Sequence, residues 1–454
     1  MRKILWDGLK MLPSRSNLVI FGWLLLATAT LTHAECIDRY INSNDKTASD
    51  VGPGSQAHPW KSLAPLNKHV FCAGEHIYFA RGSGYHGGFA VKESGTSDQP
   101  ITFTAYGEGP APDFSNPDFT VLNGNVIQIQ GSYIVVDGLY FHDGAQSPTT
   151  KDEDVLRIAD VYIAKGADHN IIRNSEVRNS PVGFHICGQY NLITHNHLHD
   201  TNRYLAGANW GPIAVLLSNA NNEISYNRIT NYVSIGGKYG ADGGALEFDP
   251  RVYGEPIHDV KVHHNYSYGN EGFLESTRSA NQPTGKVWIA YNVSDDYQEF
   301  VLLWQGHDWL IENNTVLRVL PKNSVTDVVF TFRESGNTVW NNIFVVNQGR
   351  KVFSDNGTQV YGMANWAGQT HYANLYFSAD GSQSDPVGVP LARGEKIADP
   401  KFVDFAARDL HLQSDSPAIA AGALNDFRVD FDGIPGAEGK APDLGAYEFR
   451  KPKQ

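Results

Sequence analysis

Cysteine and positive charge are both scarce in this chain. Three cysteines in 454 residues allow one disulfide and one leftover thiol at most. Lys and Arg number 36 against 49 Asp and Glu, a net charge of −13. That balance counts against nucleic acid as a partner, which needs a basic face. An anionic ligand would need a local basic patch or a bridging cation. Long apolar runs are missing beyond Leu31, so no later segment is apolar enough to span a bilayer. Helical periodicity is missing too. So are GxSxG, P-loop and Rossmann signatures.

What is present begins with a leader-like N-terminus. Arg2, Lys3, Lys10 and Arg15 precede an apolar run from Leu18 to Leu31, with Thr32-His33-Ala34 as a small-residue exit. The run is short for a membrane span and Ala34 suits a peptidase. Residues 1–34 are therefore expected to be a signal peptide, leaving a secreted or periplasmic chain with no membrane anchor. Removing those four cations and Asp7 takes the net charge from −13 to −16. Export implies an oxidising compartment. Cys36 and Cys72 are expected to pair and staple an N-terminal cap, although spacing alone leaves three free thiols open. Cys187, in the apolar stretch GFHICG, reads as a buried free thiol.

Length alone would suggest two or three domains. A repeat argues otherwise. NIIRNSEV, NLITHNHL, NEISYNRI, VKVHHNYS, VWIAYNVS, WLIENNTV and NTVWNNIF each place an aliphatic residue, two variable positions and then Asn. The asparagines are 174, 196, 227, 265, 292, 314 and 342, at intervals of 22, 31, 38, 27, 22 and 28. A period in the low twenties built of short β-type runs means a solenoid, and the LxxLxL pattern of leucine-rich repeats is missing. A right-handed parallel β-helix fits, with Asn side chains stacked from coil to coil to satisfy buried turn groups.

The repeats resemble those of pectate-lyase-like right-handed parallel β-helix proteins. GSQAHPWKSL, GEHIYFARGSGY and SGTSDQPITFTAYGEG resemble the opening of secreted β-helix polysaccharide enzymes. ADPKFVDFAARDLHLQSDSPAIAAGA and APDLGAYEF resemble the ending common in that group. The resemblance implies an all-β solenoid: an N-terminal cap and first coils at 35–110, the β-helix with groove-forming insertions at 111–380, and C-terminal coils and cap at 381–454. It implies a carbohydrate partner and a monomer, and leaves the reaction open.

By the same resemblance, the strand ahead of each Asn segment lines the substrate groove. Those strands are GFHICG, PIAVLLSN, GALEFDP, GFLESTR, EFVLLWQ and VVFTFRE. Alternation then turns Leu246 and Phe248 inward and Glu247 and Asp249 outward, with Glu275 and Thr277 outward on the next coil. Stacked acids are costly without a purpose. Insertions around them carry Trp210, Lys238, Tyr239, Asp242 and Arg251, and later coils add Arg278, Tyr297 and Trp304. Aromatic faces beside charged groups suit sugar rings. His195, His197 and His199 alternate on a strand expected to face away from the groove. The acidic run 428–439 reads as part of a cap.

The leading reading is a glycoside hydrolase needing no cofactor. Asp249 and Glu275 are the favoured acid pair, Glu247 a third candidate and Asp242 an outer helper. The alternative is a polysaccharide lyase acting on uronic-acid polymers. There Glu247, Asp249 and Glu275 would hold Ca²⁺, with Lys238 or Arg251 as base and Arg278 as acid. The lyases of this fold that it resembles place a Lys soon after the acidic strand, where this chain has Arg251. A non-catalytic carbohydrate-binding β-helix is the third reading.

Overall fold

The computed structural model describes residues 36–144, 158–201, 211–233, 243–252, 254–277, 284–321, 328–353, 366, 368–426, 429–436 and 439–451. The expected signal peptide and the candidates Trp210, Lys238, Tyr239, Asp242 and Arg278 lie outside them. Among the described residues the chain winds through three long parallel sheets of thirteen, nine and twelve strands. Each coil contributes one short strand to each sheet. No described helix is long and apolar enough to cross a membrane.

The nine-stranded sheet consists of β1 (Phe89–Val91), β2 (Ile127–Ile129), β3 (Val161–Ile163), β4 (Val182–Ile186), β5 (Ile213–Leu217), β6 (Gly244–Phe248), β7 (Leu274–Ser276), β8 (Val301–Leu303) and β9 (Phe330–Phe332). The strands lie side by side in chain order. All six stretches expected to line one face are here, as β4 to β9. Val215, Leu217, Leu246, Phe248, Leu274, Val301, Leu303, Phe330 and Phe332 turn inward and join a continuous core along the coils.

Register between coils is set in the turn between the thirteen- and twelve-stranded sheets. Asn196, Asn227, Asn265, Asn292, Asn314, Asn342 and Asn374 stack there. Each backbone N–H, from Asn196 to Asn342, donates to the side-chain oxygen of the next Asn at 2.8–3.0 Å. Each side-chain amide in the same series donates to that oxygen at 2.9–3.1 Å. Asn374 ends the ladder on the buried Glu395, at 2.8 Å. An Asn supplies both donors and an acceptor in a turn that water cannot reach, so the buried backbone is satisfied.

One repeat assignment is corrected by this geometry. Ser175, not Asn174, occupies the ladder position of its coil, donating its backbone N–H to Asn196. Asn174 takes the preceding position, which is left-handed in every coil: His195, Tyr226, His264, Tyr291, Asn313, Asn341 and Ala373 all have φ between 50° and 58° there. Asn tolerates that conformation, so the motif slipped by one residue. His195 is therefore a turn residue stacked on Tyr226 at 4.9 Å. It does not share a strand face with His197 and His199, which lie in the twelve-stranded sheet.

The two ends of the chain are tied down. Cys36 and Cys72 are disulfide-bonded, and Cys187 is a buried thiol. The described residues between Phe402 and Ala446 run back along the outer face of the twelve-stranded sheet. There Phe402, Leu410, Leu412, Ala418, Leu444 and Ala446 cover Val293, Leu317, Ile343, Val345 and Leu375. The described part of the acidic run, 429–436, belongs to this flank: His264 Nε2 donates to the Asp430 carbonyl at 2.9 Å, and Arg450 pairs with the fully buried Asp430 carboxylate at 2.5 Å. Further along, Arg408 pairs with Asp295 at 2.6 Å. Asn313 donates to the Asp443 carbonyl at 3.0 Å and Asn341 to the Ala423 carbonyl at 2.8 Å.

Replacing a ladder residue should cost far more than replacing its neighbour. Asn314→Ala strips a partner from five buried groups and should lower unfolding free energy by about 3 kcal/mol. Asn174→Gly, which loses one exposed bond to Asp137, should cost less than about 1 kcal/mol. Urea denaturation of the two variants checks the difference.

Candidate functional site

The outer face of the nine-stranded sheet carries two rows of side chains. Backbone pairing aligns Tyr162, His185, Leu216, Glu247, Glu275, Leu302 and Thr331 across β3 to β9. The second row follows the strand ends: Cys187, Ser218, Asp249, Thr277, Trp304 and Arg333. Their backbone N–H groups continue the ladder to the preceding coil, as from Asp249 to the Leu217 carbonyl and from Trp304 to the Ser276 carbonyl, at 2.8 and 3.1 Å. The alternation expected of GALEFD is therefore present, with Leu246 and Phe248 inside and Glu247 and Asp249 outside.

Glu247 and Glu275 are direct register partners on β6 and β7. Their backbones lie one strand spacing apart, about 4.8 Å. Glu247 is buried and Glu275 half-buried. Trp304, one coil further on, donates its indole N–H to Glu275 Oε1 at 2.9 Å. The donor sits diagonally across adjacent strands, a span that a long side chain bridges.

Asp249 is almost wholly buried, and both of its oxygens are engaged. Arg251 binds it as a fork, Nε to Oδ1 at 2.8 Å and Nη2 to Oδ2 at 2.6 Å. The Arg251 backbone N–H donates to Oδ1 at 2.8 Å, and Thr277 Oγ1 donates to it at 3.2 Å. Hydrogen bonding to Asp249 is the largest influence raising the Arg251 pKa. Burial opposes it, and the charges of Asp249, Glu247 and Glu275 add to it. The half-exposed guanidinium is thus a fixed cation beside the two glutamates.

The two rows close off toward β3. Tyr162, Val182, Ile213 and Leu216 pack with Ile158, Ala159 and Cys187 into a separate apolar cluster. Inside it, His185 Nε2 lies 3.0 Å from Ser218 Oγ and 3.2 Å from Cys187 Sγ. Burial pushes the His185 pKa down to about 3 against the charge of Asp249. Burial is also what pushes the Cys187 thiol up to about 12. Both groups are neutral at ordinary pH, so this trio is a packed polar cluster rather than a thiolate nucleophile. Sequence reasoning passed over it, although alternation along GFHICG already points His185 outward.

On the β9 side, Thr331 Oγ1 donates to the buried Glu299 at 3.0 Å, a pair also missed from sequence. Tyr297 stands ahead of β8 and Trp304 behind it, so these expected sugar-binding aromatics lie at opposite strand ends. Among the described residues, no three His, Cys, Asp or Glu side chains group as metal ligands, the alternating histidines included. A cavity of about 460 Å³ lined by Phe377, Phe402 and Phe405 lies under the C-terminal flank, away from this face.

No protein-family model matches the chain, and no curated protein matches it either. Solved structures do. A complex of XylC with xylose superposes with a TM-score of 0.56 at 12% identity, covering 91% of this chain and 99% of that one. Pectate lyase Pel9A superposes at 0.50 and 17% identity, covering 91% and 96%. The chain is a right-handed parallel β-helix. At such identities the likeness concerns the fold, and the reaction must be argued from the site.

A pH prediction follows from the buried histidine. The folded state refuses the proton that unfolded His185 takes near pH 6.5. Its contribution is therefore complete above pH 6.5 and is lost as pH falls toward 3, by up to about 1.4 kcal/mol per unit. His264, also pushed down by burial, to about 4, acts in the same direction. His185→Gln should flatten the fall in urea midpoint between pH 7 and pH 5 relative to wild type.

Proposed function

We propose that this β-helix is an exported glycan-cleaving enzyme, a glycoside hydrolase working on the outer face of the nine-stranded sheet. The observation that carries this reading is the direct pairing of Glu247 with Glu275. Stacked carboxyl groups are costly to hold without a purpose, and a division of labour between an acid and a nucleophile is such a purpose. That is the requirement of glycoside hydrolysis, and the close spacing suits the retaining form. Glu275 attacks the anomeric carbon as the C–O bond breaks, and Glu247 gives its proton to the leaving oxygen. Water then attacks the glycosyl ester, returns a proton to Glu247 and releases Glu275 as carboxylate.

Asp249 takes a different part from the one expected of it. Its oxygens are committed to Arg251 and Thr277, so it holds the guanidinium in place while the glutamates do the chemistry. The half-buried Trp304 ring offers a flat face to a sugar.

A fixed, half-exposed guanidinium is also suited to a uronate carboxylate, which favours a lyase as the second reading. The calcium form of that reading fits poorly. Calcium bound by Asp249 would have to displace the Arg251 fork, so the three acids as arranged do not make its site.

A panel of neutral and uronic-acid polysaccharides, read for both reducing ends and ultraviolet absorbance, separates the two reactions. Reducing ends without an unsaturated chromophore are expected. Glu247→Gln and Glu275→Gln should each lower kcat by about a thousandfold. Asp249→Asn should lower it less, by about a hundredfold, through the displaced Arg251. Full activity in both glutamine variants would overturn the reading.

A further inference from the structure

We propose that the groove on the nine-stranded sheet is blind at its β5 end, so that the enzyme takes a glycan by its chain end and frees one terminal sugar unit per turnover. This rests on the hydrolase reading for the chemistry, but the shape of the groove is a property of the folded chain. The outer face changes character at the glutamate pair. Leu216, the register partner of Glu247 on β5, is 1% exposed, and the strand-end residues Cys187 and Ser218 are 0% exposed. A sugar ring cannot rest on a face that water does not reach. Glu247, at 8%, marks the edge of that covered face. On its other side Glu275, Trp304 and Arg333 are each half-buried, on β7 and just beyond β8 and β9.

Two features build the closed end. The first is the apolar cluster that spans β3 to β5, where Leu216 packs with Tyr162, Val182 and Ile213. The second is the segment that follows β6. From Asp249 it turns back toward the earlier coils, and Glu255 Oε1 meets Lys165 Nζ at 2.6 Å, two residues beyond β3. The segment and its ion pair together span three coils, about 14 Å of sheet edge. Asn219 and Ala220, just past β5, are buried. An exposed ion pair adds little stability, but this one marks where the segment lies. The covered face begins one strand spacing from Glu247, about 4.8 Å. That leaves room for a single sugar unit on the closed side of the pair. The coils of β7 to β9 are left for the rest of the chain.

The test reads products and chain ends separately. On the polysaccharide of the panel that yields reducing ends, early products of the wild-type protein should be a single small sugar, while the polymer keeps its length and viscosity. A ladder of oligosaccharides with rapid loss of viscosity would overturn the proposal. Binding then separates the groove from the chemistry. Glu275→Gln is titrated with oligosaccharides of the panel polymers that carry a bulky cap, either aminopyridine at the reducing end or a benzylidene acetal at the other. One cap should weaken binding by about tenfold or more, and the other should change it by less than about twofold. Equal effects of the two caps would overturn the proposal. If Glu275→Gln does not fold, the wild-type product profile still decides. Failure of the wild-type protein to cleave any polymer would instead overturn the hydrolase reading, while the comparison of caps would still report on the blind end.

Discussion

The structure depends on one repeated bond, the amide-to-amide contact between asparagines of successive coils. A parallel strand pair of three residues contributes little by itself, and its register is easily lost. The Asn ladder removes that freedom. Each amide is donor to one coil and acceptor from another, so a slip by one residue would leave several buried groups unpaired at once. Strand pairing can therefore stay short, and loops of different length can leave the coil without disturbing the turn.

Because the ladder is strict, the outer face is strict as well. Side chains that are far apart in sequence become neighbours at one strand spacing. Glu247 and Glu275 are 28 positions apart and meet directly. A surface helix gives such neighbours only at fixed short separations, whereas a coil stack gives them wherever two strands face the same way. The cost of stacking like charges is offset locally by Arg251 and Trp304, both of which arrive with the strand-end row.

Much of this was legible in the sequence. The asparagine spacing identified the repeat, the resemblance placed β4 to β9 ahead of the asparagines, and alternation sorted their inward from their outward side chains. The slip at Asn174 and Ser175 shows where the reasoning thins. Adjacent turn positions both tolerate Asn for different reasons, one for its hydrogen bonds and the other for its left-handed backbone. The three alternating histidines misled in the same way, since period two is meaningful only inside a strand and His195 sits in the turn. Asp249 was recognised as outward and acidic. Its engagement with Arg251 was not, because a fork between residues two apart depends on the short turn after β6 rather than on strand alternation. The Trp304 bond to Glu275 needed the register of β7 against β8, which a list of intervals does not contain.

The returning C-terminal segment has a bearing on how the molecule comes apart. A coil stack with only nearest-neighbour contacts would be expected to fray from its ends, one coil at a time. Here Arg408, Ala423, Asp430 and Asp443 touch the coils that contain Asp295, Asn341, His264 and Asn313, binding them laterally as a strap binds a pile. Unzipping any of these coils means lifting the strap from the others. The half of the solenoid beside β6 to β9 is thereby made into one cooperative block, and the face carrying the glutamates stands on its most indivisible part.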